Sequence, residues 1–337
     1  MKKKSLFVIS PLHYDHSVAA VIEGLNKLDE IKVFSNTNHN YFKQPLTVLK
    51  TQIQVAKMAD YVMLCHSALE RKYKEVIDPL VDELRDKINI FLDGSDYSEY
   101  QENPSKYKLY FKREFLDLSN NFFNKEERSY LYNLQELGSL KNVVPLSFAA
   151  EDRYFTNPIT SHAAIWENKK DDVVCIMSAC EKRPHRFGIM ETLELNYKDN
   201  DRVFVGEYRE GDTLDTVDTG ERHFSGYFQK LLNAKISVDA YGCGNARQTG
   251  RFWESLANGC LVFYQPVEPY VWSNPYIDGE DFIVYNDNRE LIEKIEYYLS
   301  HEEEAQRIAD NGYKKLLQYH TTEKRAAEVL SFVGEYL

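Results

Sequence analysis

The chain has 337 residues, 43% hydrophobic and 28% charged, and a net charge of −12 at pH 7. The length exceeds what one hydrophobic core organises and predicts two domains, and the composition excludes a disordered polymer. The acidic balance argues against general nucleic-acid binding, which depends on neutralising phosphates, and no apolar run reaches the ~20 residues that a membrane span needs.

Lys2, Lys3 and Lys4 ahead of Leu6 and Phe7 resemble the start of an export signal, but the apolar stretch is too short and no small-residue cleavage site follows. A first strand with a solvated lysine tag is the better reading, and with it a cytoplasmic location. Cys65, Cys175, Cys180, Cys243 and Cys260 form no close pair, so reduced thiols are expected rather than a disulfide or metal scaffold.

After a strand over 4–10, ended by Pro11, the apolar positions Val18, Val21, Ile22 and Leu25 have helical spacing. Strands over 31–35, 60–65 and 88–92 alternate with helices over 46–58 and 77–84, and short strands at 108–112 and 143–146 complete the first half. The polar segment 157–172 reads as a linker. Alternation restarts with strands over 173–178, 202–206, 234–238 and 260–264, separated by helices over 186–195, 226–232 and 248–258. Beyond Arg289 the pattern is helical almost throughout. Such alternation predicts an α/β chain of two Rossmann-like domains, each with a parallel sheet and ligands beyond the carboxyl ends of its strands.

Three constellations carry candidate chemistry. The run from Gly242 to Val262 reads as a glycine-rich loop, a helix opening near Thr249, a glycine stop and a strand. Gly244 lets backbone approach a ligand, and the helix N-terminus offers N–H groups to a diphosphate. Arg251 could add a charged contact, and Glu254 could accept hydrogen bonds from ribose hydroxyls. A loop needing positive φ with a surface Arg–Glu pair is the plainer alternative. Lys182, Arg183 and Arg186 form the second constellation, at a strand end before a helix. They suit a diphosphate clamp or a solvated charge cluster, and spacing does not rank them.

The third is His13-Tyr14-Asp15-His16, in the loop after the first strand. A histidine beside a carboxylate suits a general base. The same residues equally suit a helix N-terminus capped by Asp15 or Ser17. The HxxH spacing lacks the further ligands of a metal site. Asp93 and Asp96, ending the fourth strand, compete for the base or acceptor-orienting role, and Asp-Gly is also common turn chemistry.

The stretch from Arg251 to Val262 resembles the R-x-x-E-x-x-A-x-G-x-x-V signature of group 1 GT-B glycosyltransferases. His320 to Ala326 is similar to the HT-x-x-x-R-A segment of the branch that includes the spore-coat maturation type. Asp93 to Asp96 and Tyr110 to Glu114 are similar to that branch's DG-x-D and YFKRE segments. The resemblance implies a GT-B architecture: two Rossmann-like domains facing a cleft, with a C-terminal helix crossing back to the N-domain. The acceptor-binding domain would be 1–160, the nucleotide-sugar domain 161–321 and the returning helix 322–337, docked through Ala326, Val329, Leu330 and Val333. It implies Glu254 on the nucleotide ribose, a basic residue on the diphosphate, no metal or other cofactor, and a nucleoside diphosphate-sugar donor, with UDP-sugar favoured. The chain departs at Ala246, where many members carry a second glutamate.

The implied activity is metal-independent transfer of a hexosyl or related sugar to a glycan, protein or small-molecule acceptor. A nucleotide-sugar 2-epimerase of the same fold would turn over its nucleotide-sugar without an acceptor. A non-catalytic nucleotide- or sugar-binding module would do neither.

Overall fold

The computed structural model describes residues 3–12, 15–37, 46–95, 100–115, 141–155, 166, 168–177, 184–207, 227–242, 249–267 and 273–337. In the first half, β1 (Lys4–Ile9), β2 (Ile31–Ser35), β3 (Tyr61–Cys65), β4 (Ile90–Asp93), β5 (Leu109–Lys112) and β6 (Val143–Pro145) form one sheet. Its order is β2-β1-β3-β4-β5-β6, and every pairing is parallel. The strands read as near-continuous apolar runs because both faces are covered. Leu6, Val8, Met63 and Ile90 pack with α1 (His16–Leu25). Phe7, Val62, Phe91 and Tyr110 on the other face pack with α2 (Leu49–Met58) and α3 (Lys74–Leu84). Helix α1 begins at His16, ahead of its apolar stripe, because Asp15 caps it by accepting from the amides of Ser17 (2.8 Å) and Val18 (3.2 Å).

The second half repeats the plan. Strands β7 (Asp171–Met177), β8 (Val203–Glu207), β9 (Ala234–Val238), β10 (Leu261–Tyr264) and β11 (Ile283–Val284) pair in parallel in the order β11-β10-β9-β7-β8. Helices α4 (Pro184–Tyr197), α5 (Tyr227–Asn233), α6 (Gly250–Ala257), α7 (Asn288–Ser300) and α8 (Glu302–Tyr319) cover it. Ile189 of α4 and Ile295 of α7 share one core, whereas Phe252 and Leu256 of α6 lie in another. Strand β11 has no counterpart in the sequence reading, since two residues show no period. Strand order reverses between β1 and β3 and between β7 and β9. The carboxyl ends at such reversals are where open α/β sheets take ligands.

The last helix, α9 (Thr322–Tyr336), returns to the first sheet. Ala326, Val329 and Val333 join the core beneath α1, with Leu330 partly buried against it, which is the docking stripe expected from the sequence. The approach is close: a Cβ on Gly24 of α1 would overlap the Thr322 carbonyl and come to 2.8 Å from Ala326 Cβ. Lys27 of the first half reaches Asp152 Oδ1 (2.5 Å) and Thr322 Oγ1 (2.9 Å). No described helix is long and apolar enough to cross a membrane. Cys65, Cys175 and Cys260, the cysteines among the described residues, are free and buried.

His320, at the turn into α9, is fully buried. Arg325 Nη2 lies 3.2 Å from its Nδ1, and a guanidinium only donates, so Nδ1 accepts and Nε2 carries the proton toward the Asn274 carbonyl (2.9 Å). Burial, with the Arg325 charge, pushes the imidazole down to about 3 from its ordinary 6.5. The unfolded chain therefore binds a proton that the folded one refuses, and the stabilisation present above pH 6.5 is lost as pH falls toward 3. Urea unfolding across this range should show a shallower acid loss of stability in His320→Asn than in the wild type.

Candidate active site between the two sheets

Helix α6 starts where the loop from β9 reaches the reversal point of the second sheet. Its N-cap residue, Thr249, makes no side-chain cap: the hydroxyl donates to Asp239 Oδ2 (2.7 Å), and the amide donates to the Tyr264 hydroxyl (2.9 Å). The helix N-terminus is thus anchored through Thr249 without that residue's side chain taking up its first amides, which suits an anion. At the other end the amides of Gly259 and Cys260 return to the Leu256 (3.0 Å) and Ser255 (3.1 Å) carbonyls, a Schellman-type stop. Glu254, one turn in, is only 2% exposed. Its Oε2 accepts from the Tyr227 hydroxyl (2.7 Å), and Oε1 lies on the side of Gly250, 3.8 Å from where a Cβ there would sit.

The first domain meets this helix at the N-terminus of α1. The same Gly250 Cβ position is 3.6 Å from His16 Cε1, so His16, Gly250 and Glu254 converge from opposite sheets. His16 Nδ1 lies 2.9 Å from the Tyr154 hydroxyl, which is 2.8 Å from Glu151 Oε1. The imidazole is 22% exposed, enough to meet a ligand. Its helix is braced from below. Gly94, after β4, lies so close that a Cβ there would come to 2.5 Å from Ser17 Oγ, and Arg113 Nη1 donates to that hydroxyl (3.0 Å).

Three of the residues singled out from the sequence have other work. Asp93 is fully buried at the end of β4, opposite Lys112 in the parallel register. It accepts from the Tyr110 hydroxyl (2.5 Å) and the Ser95 and Gln101 amides (both 3.1 Å), and Lys112 Nζ is 3.1 Å away. Burial pushes its carboxyl up, but Lys112 and these donors outweigh it and hold the group below the usual range. This is a structural ion pair beneath α1, which corrects the reading of Asp93 as a base.

Arg186, at 1% exposure, spends its guanidinium on the Ala240 (3.0 Å) and Tyr241 (2.7 Å) carbonyls beyond β9, so it clamps backbone rather than a diphosphate. Arg251 pairs with Asp239, with both Nε and Nη2 2.8 Å from Oδ1. Burial disfavours its charge, and the Asp239 carboxylate more than offsets that. Its first role is to hold α6 to β9. His13, Asp96, Lys182, Arg183 and Gly244 lie outside the described residues.

Asp239, Tyr227, Glu151 and Tyr154 were missed in the sequence. Asp239 had a usable signal, an acid directly after a buried strand that ends at a reversal point. The others come from a short turn and a short helix with no motif. Asp93→Asn should cost about 3–5 kcal/mol in chemical denaturation by leaving Lys112 buried without its carboxylate. Asp93→Asn with Lys112→Met should recover most of that loss.

Residues 191–331 match a family model described as glycosyl transferase-like. No curated protein matches the chain. A glycosyltransferase from Rickettsia africae ESF-5 aligns over 100% of this chain and 99% of its own, at TM-score 0.59 and 9% identity. HepE of Anabaena in complex with UDP aligns over 98% of this chain and 100% of its own, at TM-score 0.60 and 10% identity. Sucrose-phosphate synthase from Thermosynechococcus elongatus aligns over 99% of both chains, at TM-score 0.53 and 11% identity. At these identities the structures speak for the fold alone, two Rossmann-like α/β domains in series as in these glycosyltransferases, and the family match speaks for residues 191–331, which are similar to glycosyl transferases.

Proposed function

We propose that the chain moves a hexosyl or related sugar from a UDP-sugar to a hydroxyl of a glycan, protein or small-molecule acceptor, without a metal. The observation that carries this reading is the meeting of His16 with Gly250 and Glu254 at the facing reversal points of the two sheets. Glu254 accepts from the ribose hydroxyls, its geometry fixed by Tyr227. The first amides of α6, with Lys182 and Arg183 in the segment joining β7 to α4, meet the charge that grows on the departing diphosphate. His16 takes the acceptor hydroxyl proton as the new glycosidic bond forms and the bond to the diphosphate breaks. A base on the acceptor side favours inversion at the anomeric carbon, whereas retention is the tendency of the group 1 enzymes that the sequence resembles. The uridine nucleotide is favoured because HepE, which shares the fold, is seen with UDP and with UDP-glucose.

A thermal-shift series with UDP, GDP, ADP and CMP tests the donor site. A ligand at a hundredfold excess over its dissociation constant stabilises by about 2.7 kcal/mol. UDP should raise the melting temperature of the wild type and do so much less in Glu254→Gln, which keeps an acceptor for Tyr227. Equal shifts in the two proteins, or none with any nucleotide, would remove this site from consideration. Acceptor-free conversion of a UDP-sugar to its 2-epimer would replace transfer by epimerisation.

A further inference from the structure

We propose that Glu151 and Tyr154 are positioning residues that keep the ring proton of His16 on Nδ1 and so make Nε2 the proton-accepting nitrogen; this rests on the reading of His16 as the base. The argument is a count of hydrogens. An ionised carboxylate only accepts, and a tyrosine hydroxyl has one proton to give. At 2.8 Å from Glu151 Oε1, the Tyr154 proton goes to the charged acceptor. The 2.9 Å contact between Tyr154 Oη and His16 Nδ1 then needs its proton from the imidazole. A histidine without such a partner favours the opposite tautomer, with Nε2 protonated and only Nδ1 basic.

The relay is held rigidly at each step. Arg153 Nε binds Glu151 Oε2 at 3.0 Å, which leaves Oε1 for Tyr154, and Oε1 also lies 3.4 Å from His16 Nδ1. Tyr154 is buried, its ring stacks on Phe228 (6.2 Å between centroids) and its carbonyl accepts from Asn258 Nδ2 (2.8 Å). Both anchors belong to the second domain, while His16 belongs to the first. The segment that sets the tautomer is tied to both domains, since the amide of Asp152, between Glu151 and Tyr154, donates to Glu23 on α1 (2.9 Å). Glu151 Oε1 faces the ring at Nδ1 and Glu254 Oε1 shares the Gly250 side with it, while Arg153 pairs with Glu151, and Asp15 and Arg113 bind the amide and hydroxyl of Ser17 on the turn below. Glu151 is the carboxylate joined to Nδ1 through a hydroxyl. It orients the neutral ring and stabilises the imidazolium formed when Nε2 accepts a proton.

The test is the ring-nitrogen NMR spectrum of protein labelled with 15N-histidine, recorded at pH 8, with the His16 signals assigned by their loss in His16→Gln. The wild type should show Nδ1 protonated and Nε2 unprotonated. Tyr154→Phe, which keeps the buried ring, should move the proton toward Nε2. It should also lower kcat for UDP release from UDP-glucose, with water as acceptor, by about ten- to a hundredfold at unchanged KM. Glu151→Gln should move the acid limb of the rate profile to lower pH. A wild-type His16 protonated on Nε2 overturns the proposal, as does a Tyr154→Phe spectrum and kcat that match the wild type. The spectrum needs no nucleotide, so failure of the donor reading shows separately, as an absence of UDP-glucose binding beside an intact tautomer pattern.

Discussion

The chain crosses between its two sheets twice, and the relation of the domains depends on those crossings being tied together. Ala150, on the outward crossing, donates its amide to the His320 carbonyl on the return (2.8 Å), and the two strands of chain bridge at Ala150 and Thr321. Side chains from both domains close around this point. Arg325 donates to the Phe148 carbonyl and to Glu328, His320 holds the Asn274 carbonyl, and Thr322 donates to Glu23 on α1. A connection between two domains is normally a flexible stretch, whereas this one is braced by partly buried hydrogen bonds. Burial keeps His320 neutral, so the brace carries no unpaired charge at neutral pH.

Much of the charge near the cleft floor is committed to architecture. Asp93 with Lys112, Arg251 with Asp239, and Arg186 with two carbonyls sit at or just beyond the carboxyl ends of strands. Parallel strands end there with carbonyls pointing outward and helices starting nearby, so cations and acids are needed to satisfy backbone groups before any ligand arrives. Glu254 and His16 differ in that each faces the opposite domain and has one side fixed by a tyrosine. A tyrosine suits that task because its ring packs like a core residue while its hydroxyl fixes one atom of the functional group.

How much of this was legible in the sequence depends on the range of the interaction. Runs such as Ala234 to Val238 and Ile90 to Leu92 announce buried strands, and the stripe Ala326, Val329, Leu330 and Val333 announces a docked helix, because periodicity is local. The stop at Gly259 was equally readable. Which charges are free was not. Asp93 looks like a turn acid until β5 is placed beside β4, when Lys112 falls opposite it. The paired segments DG-x-D and YFKRE held that information, since neighbouring parallel strands in register bring their ends together. Arg186 is consumed by carbonyls more than fifty positions away, and the Tyr154 hydroxyl meets a histidine 138 positions earlier. Neither partner leaves a trace in local spacing.

The return of α9 to the first sheet also bears on how the protein is made. Ala326, Val329 and Val333 belong to a core whose other members lie between Leu6 and Leu146. During synthesis the N-terminal strands emerge first, yet the part of their sheet and of α1 that α9 covers stays exposed until nearly the whole second domain has been translated. At typical elongation rates of about 5–20 residues per second, that interval runs from roughly ten to forty seconds. Through it the nascent first domain presents an apolar surface to the ribosome exit and to other chains. Completion of the first domain thus waits on the translation of α9, and holding the unfinished sheet soluble is a task for whatever binds nascent chains in the cell.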